Sequence, residues 1–432
     1  MSGPVQVETV HGWVEPLSVA CGLRGQTGLI CLLSDGEQRG RQSWIGTGPD
    51  RVEVIAADDG AFNALKSPHM ARHVVGLASY DAGARTATGS RDQVWPDLTV
   101  ARYPALLRFD HDQQQVVVIG LGEDAASARA ECDRALQWLT TAAEAVPSVV
   151  PSEVFAAEAP ARTYREAVAD VVARIGAGEL FQANIARAWA GTLNPGSDPF
   201  DVFLRLASAR GAPYAAFWEI GDRAIVSNSP ELFLSWDRTV DRIETRPIKG
   251  TRGRDPDPAR DRALIDDLVA SAKDRAENLM IVDLMRNDLA RVCVPGSVTV
   301  DALFAVETHP TVPHLVSTVS GTPRSGTTPA EVLAATFPPG SITGAPKHQA
   351  MRVIARHELP RGPWCGSLFL LDDTGGLTAS VLIRTASFER AGDIWSWRTL
   401  AGAGIVADSE PELELAETEV KIRALREALV GT

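Results

Sequence analysis

The chain has 432 residues, of which 45% are hydrophobic and 22% are charged, and its formal net charge is -13. This composition is typical of a globular protein with a large core, and the length predicts about two or three domains or one large interlocked unit. The negative charge argues against nucleic acid or a membrane surface as a partner, because both are negatively charged themselves. A small anionic ligand is compatible with the composition where cations cluster locally.

The five cysteines are an odd number and include no CxxC pair, so they indicate neither a disulfide framework nor a zinc site. We therefore expect a reducing compartment, the cytoplasm. The N-terminal sequence MSGPVQVETV has no charged region followed by an apolar one, and no apolar run reaches membrane-spanning length. We accordingly expect neither an export signal nor a membrane anchor.

Residues 1–150 are the first predicted subdomain. Short apolar runs alternate with turns there, as in RVEVIAADDG and VVGLASYDAG, which predicts an antiparallel sheet. EDAASARAECDRALQWLTTAAEA predicts a helix, because Ala128, Cys132, Ala135 and Leu139 recur at steps of four, three and four. The segment VPSVVPSEVFAAEAPAR contains three prolines and predicts a connector.

Residues 151–432 are the second predicted subdomain, in which longer helical stretches alternate with short strands. TYREAVADVVARIGAGEL and DRALIDDLVASAKDRAENLMIVDLMRNDLARV each predict a helix. AIVSNS, LFLSW, SVLIRTASF and WSWRTLAG each predict a strand. Together the two halves predict an α+β fold with a long, motif-dense C-terminal part.

The stretch ETRPIKGTRGR, residues 244–254, places Lys249 between a proline that fixes the backbone and Gly250, which frees it. Arginines at positions 246, 252 and 254 add positive charge nearby, which favours the neutral and nucleophilic form of the amine. A basic surface loop explains the same pattern. The residues of this stretch alone leave both interpretations open.

The helical stretch AENLMIVDLMRNDL carries a pair of acids. Glu277 shares a face with Met280, Ile281 and Leu284, and Asp274 lies one turn earlier on the same side. We therefore expect both carboxylates to face the interior. A surface position with salt bridges is the alternative.

The last predicted helix carries a second pair of acids. Ser409 and Glu412 match a capping box, and Glu414, Glu417 and Lys421 then lie on one face. Two carboxylate pairs on two helices offer oxygen ligands, which suit Mg²⁺. For Glu417 with Lys421, an ordinary salt bridge explains the spacing equally well.

Two glycine-containing loops lack a nucleotide motif. In GSITGAPK, residues 340–347, alanine and proline separate the glycine from the lysine, so the stretch is not a phosphate loop. The amides of LAGAGIVADSEPE would suit a carboxylate, although a tight turn explains its glycines as well. His314 begins the strand-like run HLVSTVSG, a position typical of a structural histidine.

In order, the chain contains GELFQAN, SPELF, PIKGT, AENLMIVDLMRNDL, HLVSTVSG, FPPGSITGAPK, SVLIRTA and AGAGIVADSEPELELAETEVK. This series resembles the chorismate-utilising enzymes, a family that includes anthranilate, aminodeoxychorismate, isochorismate and salicylate synthases. The resemblance covers about residues 160–430. It implies two interlocked subdomains of antiparallel sheet, flanked by helices around a central cleft.

Within this family, position 249 separates activities. The chain has PIKGT, as aminodeoxychorismate synthases do, where anthranilate synthases resemble PIAGT. The resemblance implies that Lys249 attacks carbon 2 of chorismate while the 4-hydroxyl leaves. Ammonia then adds at carbon 4 and displaces the lysine, which gives 4-amino-4-deoxychorismate for p-aminobenzoate and folate synthesis. Members that add water have a lysine base where this chain has Gln182, which cannot take a proton.

The resemblance also assigns roles to other residues. Glu231 matches the acid that protonates the departing hydroxyl, and Thr251 and His314 match the pocket lining. Glu277 and Glu417 match direct Mg²⁺ ligands, whereas Asp274 and Glu414 match the positions that hold metal-bound waters. The residues expected to contact the substrate are Gln182, Gly250, Trp364, Arg384, Gly402, Gly404 and Lys421.

Two departures limit the resemblance. Trp364 stands where the family usually has tyrosine, so a hydroxyl donor to a substrate carboxylate is lost. The segment LLSDG replaces the family's effector motif LLES, so effector binding is not predicted. No cysteine lies in a glutaminase setting, which implies free ammonia or a separate glutaminase subunit. The alternatives are an anthranilate synthase and a chorismate-binding protein without turnover.

Overall fold

The computed structural model describes residues 4–36, 41–146, 150–209, 211–308 and 313–431, and the side chain of Thr251 lies outside this description. The α-helices within these ranges are α1 (Pro16–Gly22), α2 (Tyr80–Thr88), α3 (Ala125–Trp138), α4 (Ala161–Gly176), α5 (Pro199–Ala209), α6 (Pro258–Ala270), α7 (Ala272–Ala290), α8 (Pro329–Thr336), α9 (Lys347–His357) and α10 (Pro411–Val430). None of these helices is long and apolar enough to cross a membrane.

The strands before residue 200 are β1 (Val5–Gly12), β2 (Ile30–Leu33), β3 (Gln42–Gly46), β4 (Arg51–Ile55), β5 (Val74–Ala78), β6 (Leu98–Arg102), β7 (Ala105–Asp110), β8 (Gln115–Gly122), β9 (Ala156–Ala157) and β10 (Gln182–Thr192). Those after it are β11 (Tyr214–Ile220), β12 (Arg223–Ser229), β13 (Leu232–Asp237), β14 (Arg242–Thr245), β15 (Ile248–Thr251), β16 (Thr299–Thr308), β17 (Pro313–Gly321), β18 (Gly344–Ala345), β19 (Ser367–Leu371), β20 (Leu377–Val381), β21 (Thr385–Ala391) and β22 (Ile394–Ile405).

Within the described ranges, these strands form two antiparallel sheets. The larger sheet has the order β1-β8-β7-β3-β2-β11-β12-β21-β22-β10-β18, with β9 paired to β10. The smaller sheet has the order β15-β17-β14-β13-β20-β19-β5-β6-β4, with β16 paired to β17. Helices flank both sheets, so the predicted α+β architecture is confirmed.

Both sheets take strands from both sides of residue 150. Strands β1, β2, β3, β7 and β8 of the larger sheet precede that residue, as do β4, β5 and β6 of the smaller one. A buried cluster packs side chains from the two sheets together, including Trp44 of β3 and Trp218 of β11 from the larger sheet and Leu77 of β5 from the smaller one. The two halves therefore share their sheets, and the boundary at residue 150 stays a prediction about how the chain is subdivided.

The structure corrects the predicted strand SVLIRTASF. Its first residues end β20 in the smaller sheet, and its last residues begin β21 in the larger sheet. Arg384 lies between them with φ at +52°, a left-handed conformation that is uncommon for residues other than glycine. The chain therefore changes sheets at this point, which alternation of apolar residues does not reveal.

Two helix predictions also differ in detail. The long stretch from residue 261 to 292 is two helices, α6 and α7, because the Ser271 side chain accepts a hydrogen bond from the Asp274 amide and starts a new helix. The expected capping box at the last helix is absent. Glu410 is the N-cap of α10 without a side-chain cap, and the Ser409 hydroxyl instead donates to Glu414 at 2.7 Å.

Candidate active site

Lys249 lies on β15, a short strand at the edge of the smaller sheet, where it pairs with Leu315 of β17. Its side chain is half-buried. Gly250 follows with φ at +77°, and a Cβ there would lie 2.8 Å from Leu268 and 3.0 Å from Asp274. Only glycine fits this bend, where the pairing with β17 shifts register between Lys249 and Thr251 and the strand lies close to α6 and α7.

The three nearby arginines are paired with carboxylates. Arg246 contacts Glu307, Arg252 contacts Asp267 at 2.7 Å and Asp274 at 3.1 Å, and Arg254 contacts Asp261 at 2.8 Å. These carboxylates compensate much of the positive charge that the arginines bring near Lys249. Lys249 interacts electrostatically with three carboxyl groups, and its charge lowers the pKa of each: Glu231, Glu277 and Glu417.

Glu231 lies directly before β13 and is only 4% exposed. Burial raises the pKa of its carboxyl to about 7, although Ser341, Lys249 and the Ile248 amide each favour the charged form. The Ser341 hydroxyl donates to Oε1 at 2.6 Å. An acid with a pKa near neutrality, close to Lys249, is suited to donate a proton during a reaction at neutral pH.

Gln182 and Gly404 meet beside Lys249. Gln182 begins β10 and is 1% exposed, and its Oε1 has no hydrogen-bond partner among the described residues. A Cβ on Gly404 would lie 2.0 Å from Gln182 Nε2 and 3.3 Å from Lys249 Nζ. The glycine therefore lets the carboxamide and the amine approach the same piece of β22, as the sequence predicts for a shared site.

Glu277 does not point into the core as expected. The buried face of α7 is formed by Asn278, Ile281, Val282 and Met285, and Glu277 flanks it in a half-buried position. Its pKa is raised by burial and by the acids Asp274 and Glu417, whereas Lys249 and Lys273 act in the opposite direction. Glu277 therefore borders the region around Lys249 instead of the hydrophobic interior.

The two acids of α10 differ in their surroundings. Glu414 is buried and its pKa is raised by burial, with a further contribution from Glu417. Glu417 is exposed, and partial desolvation raises the pKa of its carboxyl only in part. Its ion pair with Lys421 at 2.5 Å and the charges of Lys249 and Lys273 hold that pKa low. The amine of Lys273 lies 4.0 Å from Glu414, so it links α7 to α10.

The four predicted metal ligands approach one another without forming a closed set. Across the part of the chain that the structure describes, no three histidine, cysteine or acidic side chains come close enough to hold a metal ion. The chemistry of Asp274, Glu277, Glu414 and Glu417 nevertheless fits a hard cation. They offer oxygen ligands. Burial raises the pKa of Glu277 and of Glu414, and neighbouring acids add to the shift, so negative charge is concentrated where a cation would balance it.

Lys421, expected to anchor a substrate carboxylate, is already engaged. Besides its ion pair with Glu417, its amine donates to the carbonyl of Gly402 at 2.9 Å. A Cβ on Gly402 would lie 2.6 Å from the backbone oxygen of Ile185, so close packing of β22 on β10 requires this glycine. Arg384 lies in the turn where the chain changes sheets, an uncommon conformation that often marks a functional residue.

The pocket-lining predictions have mixed outcomes. His314 is buried at the start of β17, where its backbone pairs with Thr251 of β15. The role of Thr251 depends on a side chain outside the described part of the structure. Trp364 is buried beneath the guanidinium of Arg361 at 5.0 Å, and its indole nitrogen has no partner among the described residues.

A large cavity lies apart from these residues. It has a volume of about 820 Å³ and is bordered by Leu32 and Leu33 of the LLSDG segment together with Trp44, Tyr214 and Arg246. Neither Lys249 nor Glu231 lines it. The cavity is therefore separate from the cluster that carries the predicted chemistry.

Two contributors were missed from the sequence. Ser341 belongs to GSITGAPK, which is not a phosphate loop, yet its hydroxyl contacts Glu231. Lys273 directly precedes Asp274 and adds positive charge among the acids. Because GSITGAPK is one of the ordered motifs, the sequence indicates that Ser341 lies in a functional segment. Its hydrogen bond to Glu231 is visible only in the structure.

The family model of chorismate binding enzymes matches residues 34–427 of the chain. The chain belongs to this family. The resemblance deduced from the order of motifs is thereby confirmed, and the cluster around Lys249 lies within the matched residues.

Two curated relatives carry different names. Aminodeoxychorismate synthase component 1 of Salmonella typhimurium is 39% identical over 359 residues, which cover 81% of this chain and 75% of that protein. Anthranilate synthase component 1 of Aeropyrum pernix is 40% identical over 288 residues, which cover 64% of this chain and 63% of that protein. The chain is thus similar to the former over a longer stretch.

Two solved structures share the fold. Anthranilate synthase component I of Streptococcus pneumoniae has a TM-score of 0.71 at 24% identity, covering 98% of this chain and 93% of that one. The menaquinone-specific isochorismate synthase of Escherichia coli has a TM-score of 0.76 at 19% identity, covering 99% and 95%. At these identities the comparison establishes the fold only.

Proposed function

We propose that the chain is component 1 of an aminodeoxychorismate synthase, which converts chorismate and ammonia to 4-amino-4-deoxychorismate for p-aminobenzoate and folate synthesis. The observation that carries the proposal is Lys249. It lies next to Gln182 and Gly404 and interacts with the carboxylates of Glu231 and Glu277. The long match to a relative with the name aminodeoxychorismate synthase component 1 supports the same assignment.

In the proposed reaction, the unprotonated amine of Lys249 forms a bond to carbon 2 of chorismate, the ring double bond shifts, and the 4-hydroxyl leaves. Glu231 supplies the proton that turns the leaving hydroxyl into water, since burial keeps a substantial part of its carboxyl protonated near neutral pH. Ammonia then bonds to carbon 4, the double bond shifts back, and the bond to Lys249 breaks. The adduct nitrogen of Lys249 keeps both of its protons and leaves as a neutral amine. The nitrogen added as ammonia gives one proton to the Glu231 carboxylate, so both residues return to their starting states.

We further propose that Glu277 and Glu417 hold Mg²⁺, with Asp274 and Glu414 in contact with its waters. The bound cation would neutralise the ring carboxylate of chorismate and negative charge at the departing hydroxyl. Burial is the main cause of the raised pKa of Glu277 and of Glu414, and repulsion from neighbouring acids adds to it in both. This repulsion supports a cation at this position. Within the cluster, Lys249, Lys273 and Lys421 balance part of that charge.

The ammonia is proposed to come from a separate glutaminase subunit or from solution. The Salmonella relative is named component 1, which supports a multi-subunit arrangement. No described cysteine is in a disulfide, which supports the cytoplasmic setting we propose. Arg384, Gly402 and Lys421 are the proposed anchors for the carboxylates of chorismate.

The test is product analysis. Purified chain is incubated with chorismate, Mg²⁺ and excess ammonium at mildly alkaline pH, and the products are resolved by chromatography. We expect 4-amino-4-deoxychorismate, convertible to p-aminobenzoate by added lyase, and no product when Mg²⁺ is chelated. Anthranilate as the main product would refute the assignment and favour the second activity, to which the Aeropyrum pernix relative points. Full binding of chorismate without turnover would support a non-catalytic protein.

A further inference from the structure

Ser341 makes a direct contact with the carboxyl that the proposed reaction needs. It lies in a single 3-10 turn, Gly340–Ile342, between α8 and β18. Its hydroxyl donates to Glu231 Oε1 at 2.6 Å, and the two residues are only 7% and 4% exposed. No water competes easily for so buried a contact, so the serine hydroxyl is committed to this carboxyl.

A second donor reaches the same carboxyl from another direction. The backbone amide of Ile248 hydrogen-bonds Glu231, and Ile248 directly precedes Lys249 on β15. Two donors on separate elements restrict rotation of the carboxyl group. When Glu231 is protonated, its own O–H then points where neither donor lies.

We propose that Ser341 is a positioning residue that orients the Glu231 carboxyl for proton transfer to the leaving 4-hydroxyl of chorismate. This inference rests on the proposed function, in which Glu231 is the proton donor. Ser341 itself does not touch the substrate in this account. It acts only through the direction in which Glu231 presents its proton.

Ser229 provides a matched comparison within the same site. It is also a buried serine next to Glu231, but its hydroxyl accepts from the Glu231 amide at 3.3 Å and donates to the carbonyl of Val381 at 2.5 Å. Ser229 therefore holds the backbone of Glu231, and Ser341 holds its carboxyl. A purely structural role predicts similar effects for the loss of either hydroxyl, whereas the positioning role predicts an effect on proton transfer for Ser341 alone.

Other charged groups also act on Glu231. Lys249 of β15 and Lys421 of α10 favour its charged form, and Glu231 in turn raises the pKa of the buried Cys365 thiol. The Ser341 hydrogen bond acts in the same direction as the two lysines, because it stabilises the carboxylate. Loss of the Ser341 hydroxyl therefore raises the pKa of Glu231 above its present value of about 7.

The experiment measures kcat and kcat/KM for chorismate against pH, with the concentration of unprotonated ammonia held constant. In wild type we assign the fall in rate at alkaline pH, the alkaline limb, to loss of the Glu231 proton. For Ser341→Ala we expect this limb to lie about one pH unit higher. At pH values below the limb, kcat should be about tenfold lower, with little change in KM. Ser341→Thr keeps a hydroxyl and should restore the limb. Ser229→Ala should leave the limb in place.

Two outcomes would overturn the inference. In one, Ser341→Ala has the wild-type limb and kcat; in the other, Ser229→Ala causes the same shift as Ser341→Ala. If Ser341→Ala does not fold, Ser341→Cys, with a weaker donor, replaces it and should give a smaller shift in the same direction. Failure of the proposed function can be distinguished from failure of this inference. If Glu231 is not the proton donor, Glu231→Gln will retain the alkaline limb.

Discussion

Replacement of Gly404 by alanine tests whether the spacing between Gln182 and Lys249 matters for catalysis. The added Cβ would lie 2.0 Å from Gln182 Nε2, and ordinary contact begins at 3.4 Å, so the carboxamide must withdraw by about 1.4 Å. Lys249 Nζ, at 3.3 Å, must shift by a few tenths of an ångström. Displacement of a reacting constellation by about 1 Å lowers the rate roughly 100-fold, so we expect kcat/KM for chorismate to fall by about that factor.

The same change should affect stability little, because the nearest atom is the end of a flexible side chain. Aminodeoxychorismate formation at saturating ammonium, followed by coupled conversion to p-aminobenzoate, measures the rate, and thermal unfolding measures stability. Gly253→Ala is the matched control, since a Cβ there meets nothing within 4 Å. An unchanged rate for Gly404→Ala, or a loss fully explained by unfolding, would refute the reasoning.

Three further changes have distinct expected outcomes. Because Glu231 acts while protonated and its pKa is raised to about 7, wild-type kcat/KM at constant free ammonia should fall as pH rises through about 7. Glu231→Gln should lose this dependence on pH, and its kcat should be lower by a factor of about 10²–10⁴. Asp288→Ala removes the carboxylate that lies 2.5 Å from the buried amine of Lys347, so the free energy of unfolding measured in urea should fall by about 3–5 kcal/mol. Asp222→Ala removes one partner of an exposed ion pair and should leave that free energy nearly unchanged. Glu277→Gln should raise the Mg²⁺ concentration needed for half-maximal activity, and unchanged metal dependence would remove this residue from the proposed ligands.

Much of the site follows from the sequence because its residues lie in short ordered motifs. Lys249, Gln182 and Gly404 come from separate segments, PIKGT, GELFQAN and AGAG, and the structure brings them together beside β22. Local patterns also gave the helix α3 and the strands β12 and β13.

The remaining features depend on partners that are distant in the chain. Arg246 pairs with Glu307, and Ser341 reaches Glu231 across 110 positions, so neither contact is visible in local spacing. The sheet change at Arg384 is hidden for a related reason, since strand-forming residues stand on both sides of the turn. Helical periodicity likewise predicts the helix that contains Glu277. It does not predict which face of that helix is buried, because burial depends on the elements that pack against α7.

The most direct measurement is the rate of 4-amino-4-deoxychorismate formation by Lys249→Ala with chorismate, Mg²⁺ and free ammonia, compared with wild type and with Lys273→Ala. Lys273 is a suitable control because it adds positive charge to the same acids without being the proposed nucleophile. We expect Lys249→Ala to form no detectable product, whereas Lys273→Ala stays active. Product formation by Lys249→Ala at the wild-type rate would contradict the covalent route through this lysine.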